Sequence, residues 1–201
     1  MTAAVLQFNP PPKGRADPAD TPARAFLDMH MSFNAPGVFM LASFGEDPIT
    51  GEVLPPKVHP LTDIETAMRV IGDWSNDVHR NIYVSASKLA VPPPPGQRGT
   101  ESDIAFVTHL VADFDDLDAA RYLERMPCAP SWVLETSPGR FQCGIVFSRP
   151  LTPDKAKPLA RGLKAFCRCD HGTGDIAHVW RIPGLVNWPN KKKAGVGRLP
   201  T

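Results

Sequence analysis

The 201-residue chain is predicted to adopt an α+β fold, with an RRM-like module beside a smaller N-terminal α/β module. Three observations lead to this prediction. Apolar and helix-like segments of the second half follow the order β-α-β-β-α-β, the split ferredoxin-like arrangement. The first half contains shorter strands and helices, and a proline-rich loop separates the halves. The length suits one large domain or two small lobes that share a site.

The first half begins with a proline-rich segment, residues 1–22, which we expect to be an extended and flexible lead-in. Prolines also make residues 91–103 a long loop, because they are excluded from helix interiors and central strands. Between these two segments, the apolar pattern predicts a helix, a strand, a second helix and a second strand, at residues 23–33, 37–44, 62–77 and 81–87.

The helix predicted at residues 62–77 has a start signal and an apolar face. Thr62 and Glu65 have the spacing of a capping box. Ile64, Met68 and Ile71 recur at helical spacing, and Trp74 continues the same face.

The second half alternates more regularly. A buried strand at 104–114 is followed by a helix at 116–126 that starts with acidic residues, as the helix dipole prefers. Strands at 131–137 and 141–147 flank a tight turn. Thr152 and Pro153 begin a helix that extends to residue 169, and the last strand lies at 178–184.

Charge is unevenly distributed along the chain. The net charge is +1, but the segment from Lys155 to Thr201 has ten basic residues against Asp170 and Asp175, a net charge of +8. Residues 1–154 are therefore acidic overall. A basic end beside an acidic body suits a polyanion partner next to a cation site, although a solvated basic tail explains the charge equally simply.

The four cysteines lack the C-x-x-C spacing of a structural zinc site. Cys167, Cys169 and His171 are too closely spaced for an ordinary zinc cluster, so free thiols are expected. No apolar run is long enough to cross a membrane, and the N-terminus lacks the apolar core of a signal peptide. These features predict a cytoplasmic protein.

Two carboxylates stand at the end of the strand predicted at 104–114. Side chains alternate along a strand, so Asp113 and Asp115 share one face while Phe114 points into the core. Paired carboxylates repel each other, and a divalent cation such as Mg²⁺ or Mn²⁺ relieves that repulsion. Two solvated acids at a strand end are the alternative. Asp116 lies beyond the pair and is expected to start the next helix.

Two later segments carry further polar residues. Ser137, Gly139, Arg140 and Gln142 cluster where the hairpin closes, and Pro138-Gly139 suits a turn with a positive φ at the glycine. Farther on, an acidic residue precedes a short strand and a basic stretch, a combination able to complete a two-metal site and to bind phosphates. The residues concerned are Asp175, Arg181, Lys191, Lys192 and Lys193.

The order of these elements resembles the archaeo-eukaryotic primase (AEP) superfamily. The resemblance rests on the D-x-D at a strand end, then "TSPGRFQ", then an acid followed by "RIPGLVNWPNKK". It is strongest over residues 80–193 and is closest to RepB-like and primase-polymerase domains of plasmids, phages and other mobile elements. It implies an RRM-like catalytic module, about 101–201, packed on an N-terminal module, about 23–100, within one catalytic domain at 23–201. The active site is then expected in the cleft between them.

The resemblance also implies roles for individual residues. Asp113, Asp115 and Asp175 would bind two Mg²⁺ or Mn²⁺ ions and be the catalytic acids. Ser137, Gly139, Arg140, Gln142 and Arg181 would bind the nucleotide, with Gln142 where many members have a histidine. Asn187 and the lysines at 191–193 would contact nucleic acid. The implied partners are a single-stranded DNA template, nucleoside triphosphates, and a helicase or C-terminal primase region in a longer protein.

The implied function is template-directed nucleotidyl transfer by a DNA primase or primase-polymerase. Two alternatives stay open: a catalytically weak module that binds origin single strands, and a metal-dependent nuclease or nicking initiator. Nicking initiators of the common kind use an H-x-H pair and a catalytic tyrosine. The chain contains no H-x-H, and its only tyrosines are Tyr83 and Tyr122. Trp180 is expected in the core, whereas Trp188 is a candidate for stacking on DNA bases.

Overall fold

The computed structural model describes residues 6–8, 21–116, 121–197 and 199–201. Nine strands and five helices lie in these ranges. The strands are β1 (Leu6–Phe8), β2 (Phe39–Glu46), β3 (Val53–Leu61), β4 (Arg80–Ser85), β5 (Ser87–Leu89), β6 (Ile104–Phe114), β7 (Trp132–Ser137), β8 (Arg140–Leu151) and β9 (Val179–Arg181). The helices are α1 (Pro22–Met31), α2 (Ile64–Ser75), α3 (Tyr122–Arg125), α4 (Pro153–Cys167) and α5 (Lys191–Gly195).

The strands form two sheets, so the predicted α+β class is confirmed. The five-stranded sheet has the order β1-β7-β8-β6-β5, with all pairs antiparallel except β1–β7. The four-stranded sheet has the antiparallel order β3-β2-β4-β9. β1 lies within the predicted lead-in, most of which falls outside the described residues.

The last strand does not join the sheet that the RRM-like prediction assigned to it. β9 pairs with β4 of the first half, while β5 takes the place beside β6. Strand pairing is decided by tertiary packing: Trp180 of β9 is buried in the core that α1 and α2 share with the four-stranded sheet. Each sheet therefore contains strands from both sides of the module boundary predicted near residue 100.

Two strands of the first half differ from the sequence prediction. The pattern did not predict β3, because Pro55, Pro56 and Pro60 are strand breakers; β3 is an edge strand, where prolines are tolerated. The strand predicted at 81–87 is in fact two strands. β4 ends at Ser85 in one sheet, and β5 begins at Ser87 in the other.

The helices α1, α2 and α4 form where their apolar patterns predict them. The capping box predicted for α2 is wrong, because Asp63 is the N-cap and its carboxylate accepts the backbone N–H of Thr66 at 2.7 Å. Glu65 instead forms an ion pair with Arg24 of α1. α4 begins at Pro153 as predicted and continues through Pro158. Of the helix predicted at 116–126, α3 is the helical part; residues 117–120 lie outside the described ranges.

Two apolar clusters form the core. The first packs α1 and α2 against the four-stranded sheet and also includes Val111 and Trp132 of the five-stranded sheet. The second packs α4 and Tyr122 against β6, β7 and β8. Because the first cluster contains residues of both sheets, it fixes β9 close to the ends of β6 and β8. No helix among the described residues has the length and apolarity needed to cross a membrane.

Candidate active site

The C-terminal end of β6 carries two carboxylates, and the charge of a third acts on Asp113 from the loop after α4. Asp113 is half-buried, and Asp115 lies exposed just beyond the strand. Burial is the main cause that raises the pKa of Asp113 to about 7, and the charges of Asp115 and Asp170 raise it further. Phe114 points into the core, as the alternation of the strand predicts. Asp113 therefore has surroundings that disfavour its own ionised form.

The loop after α4 is held against this strand end by one backbone–backbone hydrogen bond and one bond from a backbone N–H to a side-chain hydroxyl. The N–H of Asp170 donates to the carbonyl of Asp113 at 2.8 Å. The N–H of Asp113 donates to the Thr173 hydroxyl at 3.1 Å. The Asp170 carboxylate accepts the N–H of Gly172 at 3.3 Å, and its charge raises the pKa of Asp113, an effect that sequence reasoning missed. The available signal was its position: Asp170 directly follows the end of α4, in the same third segment as Asp175.

Asp175 has a different environment. Its carboxylate accepts the backbone N–H of Ala177 at 2.8 Å, which closes a local turn. It lines a cavity of about 630 Å³ together with basic side chains of α4. Burial, followed by the charges of Asp115 and Asp170, raises the pKa of Asp113. The assignment of Asp175 as a catalytic acid stays a prediction.

The described part of the chain contains no ready-made metal cage. Among those residues, no three His, Cys, Asp or Glu side chains gather in a group that could hold an ion. Asp113, Asp115, Asp170 and Asp175 do not form such a group, and neither do Cys167, Cys169 and His171. The cysteines are free thiols, as expected. Carboxylate oxygens nevertheless suit Mg²⁺ or Mn²⁺. The raised pKa of Asp113 means that its ionised form is unfavourable, and a bound cation would stabilise that form.

Gln142 joins the acids to the other sheet. It pairs with Asp113 across β6 and β8, and its side-chain hydrogen bond to the Asp113 carboxylate lowers the pKa of that acid. Its amide oxygen accepts the backbone N–H of Arg181 at 3.3 Å. Because the oxygen is used in this way, the amide nitrogen is the group that can donate to Asp113. Gln142 thus bridges the predicted metal ligand and β9.

Arg181 lies on the far side of this bridge. Its guanidinium donates to the side-chain oxygen of Asn81 at 3.2 Å and stacks over the Tyr83 ring, 5.2 Å from the centroid. Its positive charge also lowers the pKa of Asp113 and so opposes the effect of burial. The structure therefore places Arg181 beside the acids, as the sequence predicted.

The β7–β8 hairpin closes over Asp115. Gly139 has a φ of +73°, which confirms the predicted turn, and its N–H donates to Glu135 at 2.9 Å. Arg140 donates from Nε to the backbone carbonyl of Asp115 at 3.1 Å, and the same nitrogen is 3.6 Å from the Asp115 carboxylate. Ser137 pairs with Arg140 at the mouth of the hairpin. The predicted nucleotide-binding turn and the predicted metal ligands thus share one location.

The predicted nucleic-acid contacts lie farther from the acids. The Asn187 amide donates to the Thr136 carbonyl at 2.6 Å, so this side chain holds the C-terminal segment in place. Lys191 donates from Nζ to the Thr50 carbonyl, and Lys192 is exposed. Lys193 lines a second cavity, beside Arg181. Asp116 accepts a hydrogen bond from Arg125 at 2.8 Å.

Residues 73–200 match the family model described as the RepB DNA-primase N-terminal domain. The chain belongs to this family. The matched range contains every predicted site residue and confirms the resemblance to RepB-like primase domains. Membership of the RepB primase family indicates a primase-like role in the initiation of DNA replication. The search of the curated proteins found no match.

Solved structures support the fold of this RepB primase domain. The AEP domain of the cyanophage S-2L primase-polymerase superposes with a TM-score of 0.59, at 16% identity, over 89% of this chain and 86% of that one. The catalytic domain of primase RepB′ in complex with initiator DNA gives a TM-score of 0.53, at 16% identity, over 90% and 84%. At such identities the likeness establishes a shared fold.

Proposed function

We propose that this domain is a DNA primase or primase-polymerase that catalyses metal-dependent, template-directed nucleotidyl transfer on single-stranded DNA, in the replication of a mobile element. One observation carries the proposal within the RepB primase family: the half-buried Asp113 has its pKa raised to about 7 beside two further carboxylates. A strand end that concentrates negative charge in this way suits a divalent cation.

Asp113, Asp115 and Asp170 are the residues that we propose as ligands of Mg²⁺ or Mn²⁺. Asp170 enters this set because its charge acts on Asp113, and Asp175 is kept as the alternative third acid. When bound, two such ions would lower the pKa of the attacking 3′-hydroxyl and neutralise the triphosphate and the leaving pyrophosphate.

The remaining residues of the site position the substrates. Gln142 donates to the Asp113 carboxylate and favours its ionised form. Arg140 and Arg181 supply fixed positive charge on either side of the acids, and guanidinium groups match the geometry of phosphate oxygens. The Ser137–Gly139 turn, with backbone groups near Asp115, completes the proposed nucleoside triphosphate site.

The wider arrangement is also part of the proposal. Asp113 and Gln142 belong to one sheet and Arg181 to the other, so the site would lie in a cleft between two modules of one catalytic domain. Lys192 and Lys193, at the basic C-terminal end, would meet the phosphates of the template strand. In a longer protein, a helicase or C-terminal primase region would act with this domain. The RepB′ catalytic domain was solved with initiator DNA, which supports a DNA partner here.

A non-catalytic module that binds single strands at an origin is the second candidate. It is favoured by the lack, among the described residues, of three side chains already grouped as metal ligands. This candidate predicts DNA binding without nucleotide incorporation.

The deciding assay measures primer synthesis. The wild-type protein is incubated with single-stranded template and labelled nucleotides, with Mg²⁺, with Mn²⁺ or with a chelator. We expect short labelled products that depend on the metal. The absence of products with either metal, while DNA binding persists, would favour the second candidate. Synthesis that survives both Asp113→Ala and Asp115→Ala would overturn the site assignment.

A further inference from the structure

The half of α4 that faces away from the five-stranded sheet is exposed, and we call it the α4 outer surface. The other half of the helix packs small and apolar side chains against that sheet. With about 3.6 residues per turn, the exposed half has an apolar edge, a middle of small residues and a basic edge. The surface consists of Leu159 and Phe166, then Gly162 and Ala165, then Arg161 and Arg168.

The apolar edge is able to receive apolar side chains of a partner. Leu159 and Phe166 are 49% and 66% exposed, and their spacing of seven residues puts them on one line of the helix. A Cβ added at Gly162, beside this line, would meet no other atom within 4 Å. Single apolar side chains on a surface need no explanation, whereas two that are aligned beside a low middle offer a continuous contact.

The basic edge borders the cavity of about 630 Å³ that Asp175 lines. Arg161, Lys164 and Arg168 line the same cavity, and so does Glu101. Glu101 already pairs with a lysine of α4. In the described part of the chain, neither Arg161 nor Arg168 forms a salt bridge with a carboxylate. This wall of the cavity therefore has positive charge available for an acidic group.

Arg168 has a backbone conformation that favours glycine. It follows the last residue of α4 with a φ of +53° and a ψ of 38°, in the left-handed region where a side chain is strained. Glycine would make the better helix end, so an exposed arginine at this place indicates a use for its guanidinium. The helix dipole accounts for a positive charge near the end of α4, but it does not account for the apolar edge.

The α4 outer surface lies away from the acids of the candidate active site. Ala112 and Phe114 pack with α4 in the second apolar cluster, whereas Val111 belongs to the first cluster. Asp113 shares the face of Val111, because side chains alternate along β6. A partner on α4 would approach from the opposite side of the five-stranded sheet and leave Asp113 accessible.

We propose that the α4 outer surface docks an acidic segment of a partner protein, with its carboxylates at the two arginines and its apolar side chains against Leu159 and Phe166. The unpaired arginines select an acidic partner. The apolar edge selects a protein over a nucleic-acid strand, because Leu159 and Gly162 have no ring on which a base could stack. The docking goes beyond the proposed primase activity and does not depend on it. A surface on a single helix suits a transient interface.

A displayed library of random linear peptides tests the proposal. Selection on the whole wild-type chain, with counter-selection on the double variant Arg161→Glu/Phe166→Ala, isolates peptides that need this surface. Fluorescence anisotropy then measures the affinity of the most enriched peptide for single variants. Arg168→Gly removes the guanidinium at a φ that glycine adopts freely, so it separates binding from folding. The matched controls are Ile49→Ala and Arg69→Glu, which make similar changes at exposed positions outside α4.

We expect the enriched peptides to combine Asp or Glu with large apolar residues. Phe166→Ala should weaken binding roughly 30-fold, as the loss of a central anchor does in other interfaces. Arg161→Glu should weaken it at least as much and reduce its dependence on salt. Arg168→Gly should weaken binding several-fold, with an unchanged or higher melting temperature. Both control variants should bind like the wild type.

Three results of the selection would overturn the proposal: no peptide enriched on the wild type over the double variant, enriched peptides that lack carboxylates, or enriched peptides that bind Arg161→Glu as tightly as the wild type. An oligothymidylate that loses affinity in Phe166→Ala would identify nucleic acid as the occupant and would also overturn it. Primer synthesis is a separate measurement, in which Phe166→Ala should behave like the wild type. Loss of synthesis in a folded Phe166→Ala protein would show that the surface serves the reaction itself and not a docked partner.

Discussion

Two titratable residues of β6, one in the middle of the strand and one at its end, have different neighbours. His109 is fully buried, and burial lowers its pKa well below the ordinary value, with a smaller contribution from His30. Asp113, four residues later, has its pKa raised to about 7 by burial and by two other acids. In both places the protein surroundings disfavour the charged form.

The neighbours of the two groups differ. His109 meets His30 edge-on, with centroids 4.7 Å apart, and also contacts Trp132, so the neutral ring serves as packing. Asp113 instead lies near Asp115 and Asp170, which increase the unfavourable energy of its ionised form. Each histidine ring packs in the core with its Nδ1 in a hydrogen bond, to the Phe26 carbonyl for His30 and to the Thr108 hydroxyl for His109. Asp115 pairs with Arg140 and Asp170 caps its own turn, but their charges still disfavour an ionised Asp113, which is why a cation ligand is the better explanation at the strand end.

The largest expected effect separates the two candidates for the third acid. Asp170→Asn should lower primer synthesis by about 100-fold or more, because it removes a charge that is placed at the reacting centre. Asp175→Asn should have a smaller effect, because the charge of Asp170 acts on Asp113, whereas the carboxylates of both residues accept a backbone N–H of their own turn. Synthesis rates of the two variants on one template provide the measurement. A larger loss of primer synthesis in Asp175→Asn than in Asp170→Asn would instead identify Asp175 as the third catalytic acid.

Acidic pH should lower the free energy of unfolding, because His30 and His109 are buried in their neutral forms. The folded-state pKa is about 4 for His30 and well below 6.5 for His109, so the unfolded chain binds protons first as the pH falls below 6.5. Each histidine then removes about 1.4 kcal/mol of unfolding free energy per pH unit between pH 6.5 and 5. Urea denaturation across this interval should show the slope. His109→Leu should reduce it by about half and His171→Gln should not; equal slopes in all three proteins would contradict the account.

Removal of the Asp113 charge should stabilise the protein. The folded pKa is above that of the unfolded chain, so ionisation costs folding free energy as the pH rises from about 4 to 7. Without divalent cation at pH 8, we expect Asp113→Asn to raise the free energy of unfolding by about 1–3 kcal/mol. Thermal denaturation at pH 8 and pH 4 measures this gain, which should vanish at the lower pH. A loss of stability at pH 8 would show that the Asp113 carboxylate is satisfied within the fold.

The bridge between the acids and Arg181 gives the smallest expected effect. Gln142→Leu removes a donor to Asp113 and the acceptor of the Arg181 N–H, which should cost about 1–2 kcal/mol of stability and roughly tenfold in synthesis. Gln142→His, which introduces the residue that many superfamily members have at this place, should retain most of the synthesis. A Leu variant as active as the wild type would leave Gln142 with a packing role alone.

The acid pair was predictable because strand alternation is a local property. Asp113 and Asp115 share a face, and the effect of Asp115 on the pKa of Asp113 shows that they are close. The turn at Gly139 was also predictable, since Pro-Gly restricts the backbone locally. The contact of Arg140 with Asp115 was not predicted, because it depends on the pairing of β6 with β8 across 25 residues of the chain.

The features that the sequence did not reveal depend on long-range contacts. The place of β9 is decided by the burial of Trp180 against α1 and α2, and hydrophobic periodicity does not identify the partner of a strand. Asp170 reaches Asp113 only because the loop after α4 binds the end of β6 through Thr173. The cavity beside Arg181 exists because Asn81 holds a segment more than 100 residues later in the chain.

Primer synthesis by Asp113→Asn, compared with Asp116→Asn, tests the central claim most directly. Asp116 is the matched control, because it follows on the same loop but pairs with Arg125. We predict that Asp116→Asn makes labelled primers at nearly the wild-type rate with Mg²⁺ or Mn²⁺. Asp113→Asn should make none while remaining folded and at least as stable at pH 8. Primer synthesis by a folded Asp113→Asn protein would contradict the assignment of the end of β6 as the catalytic centre.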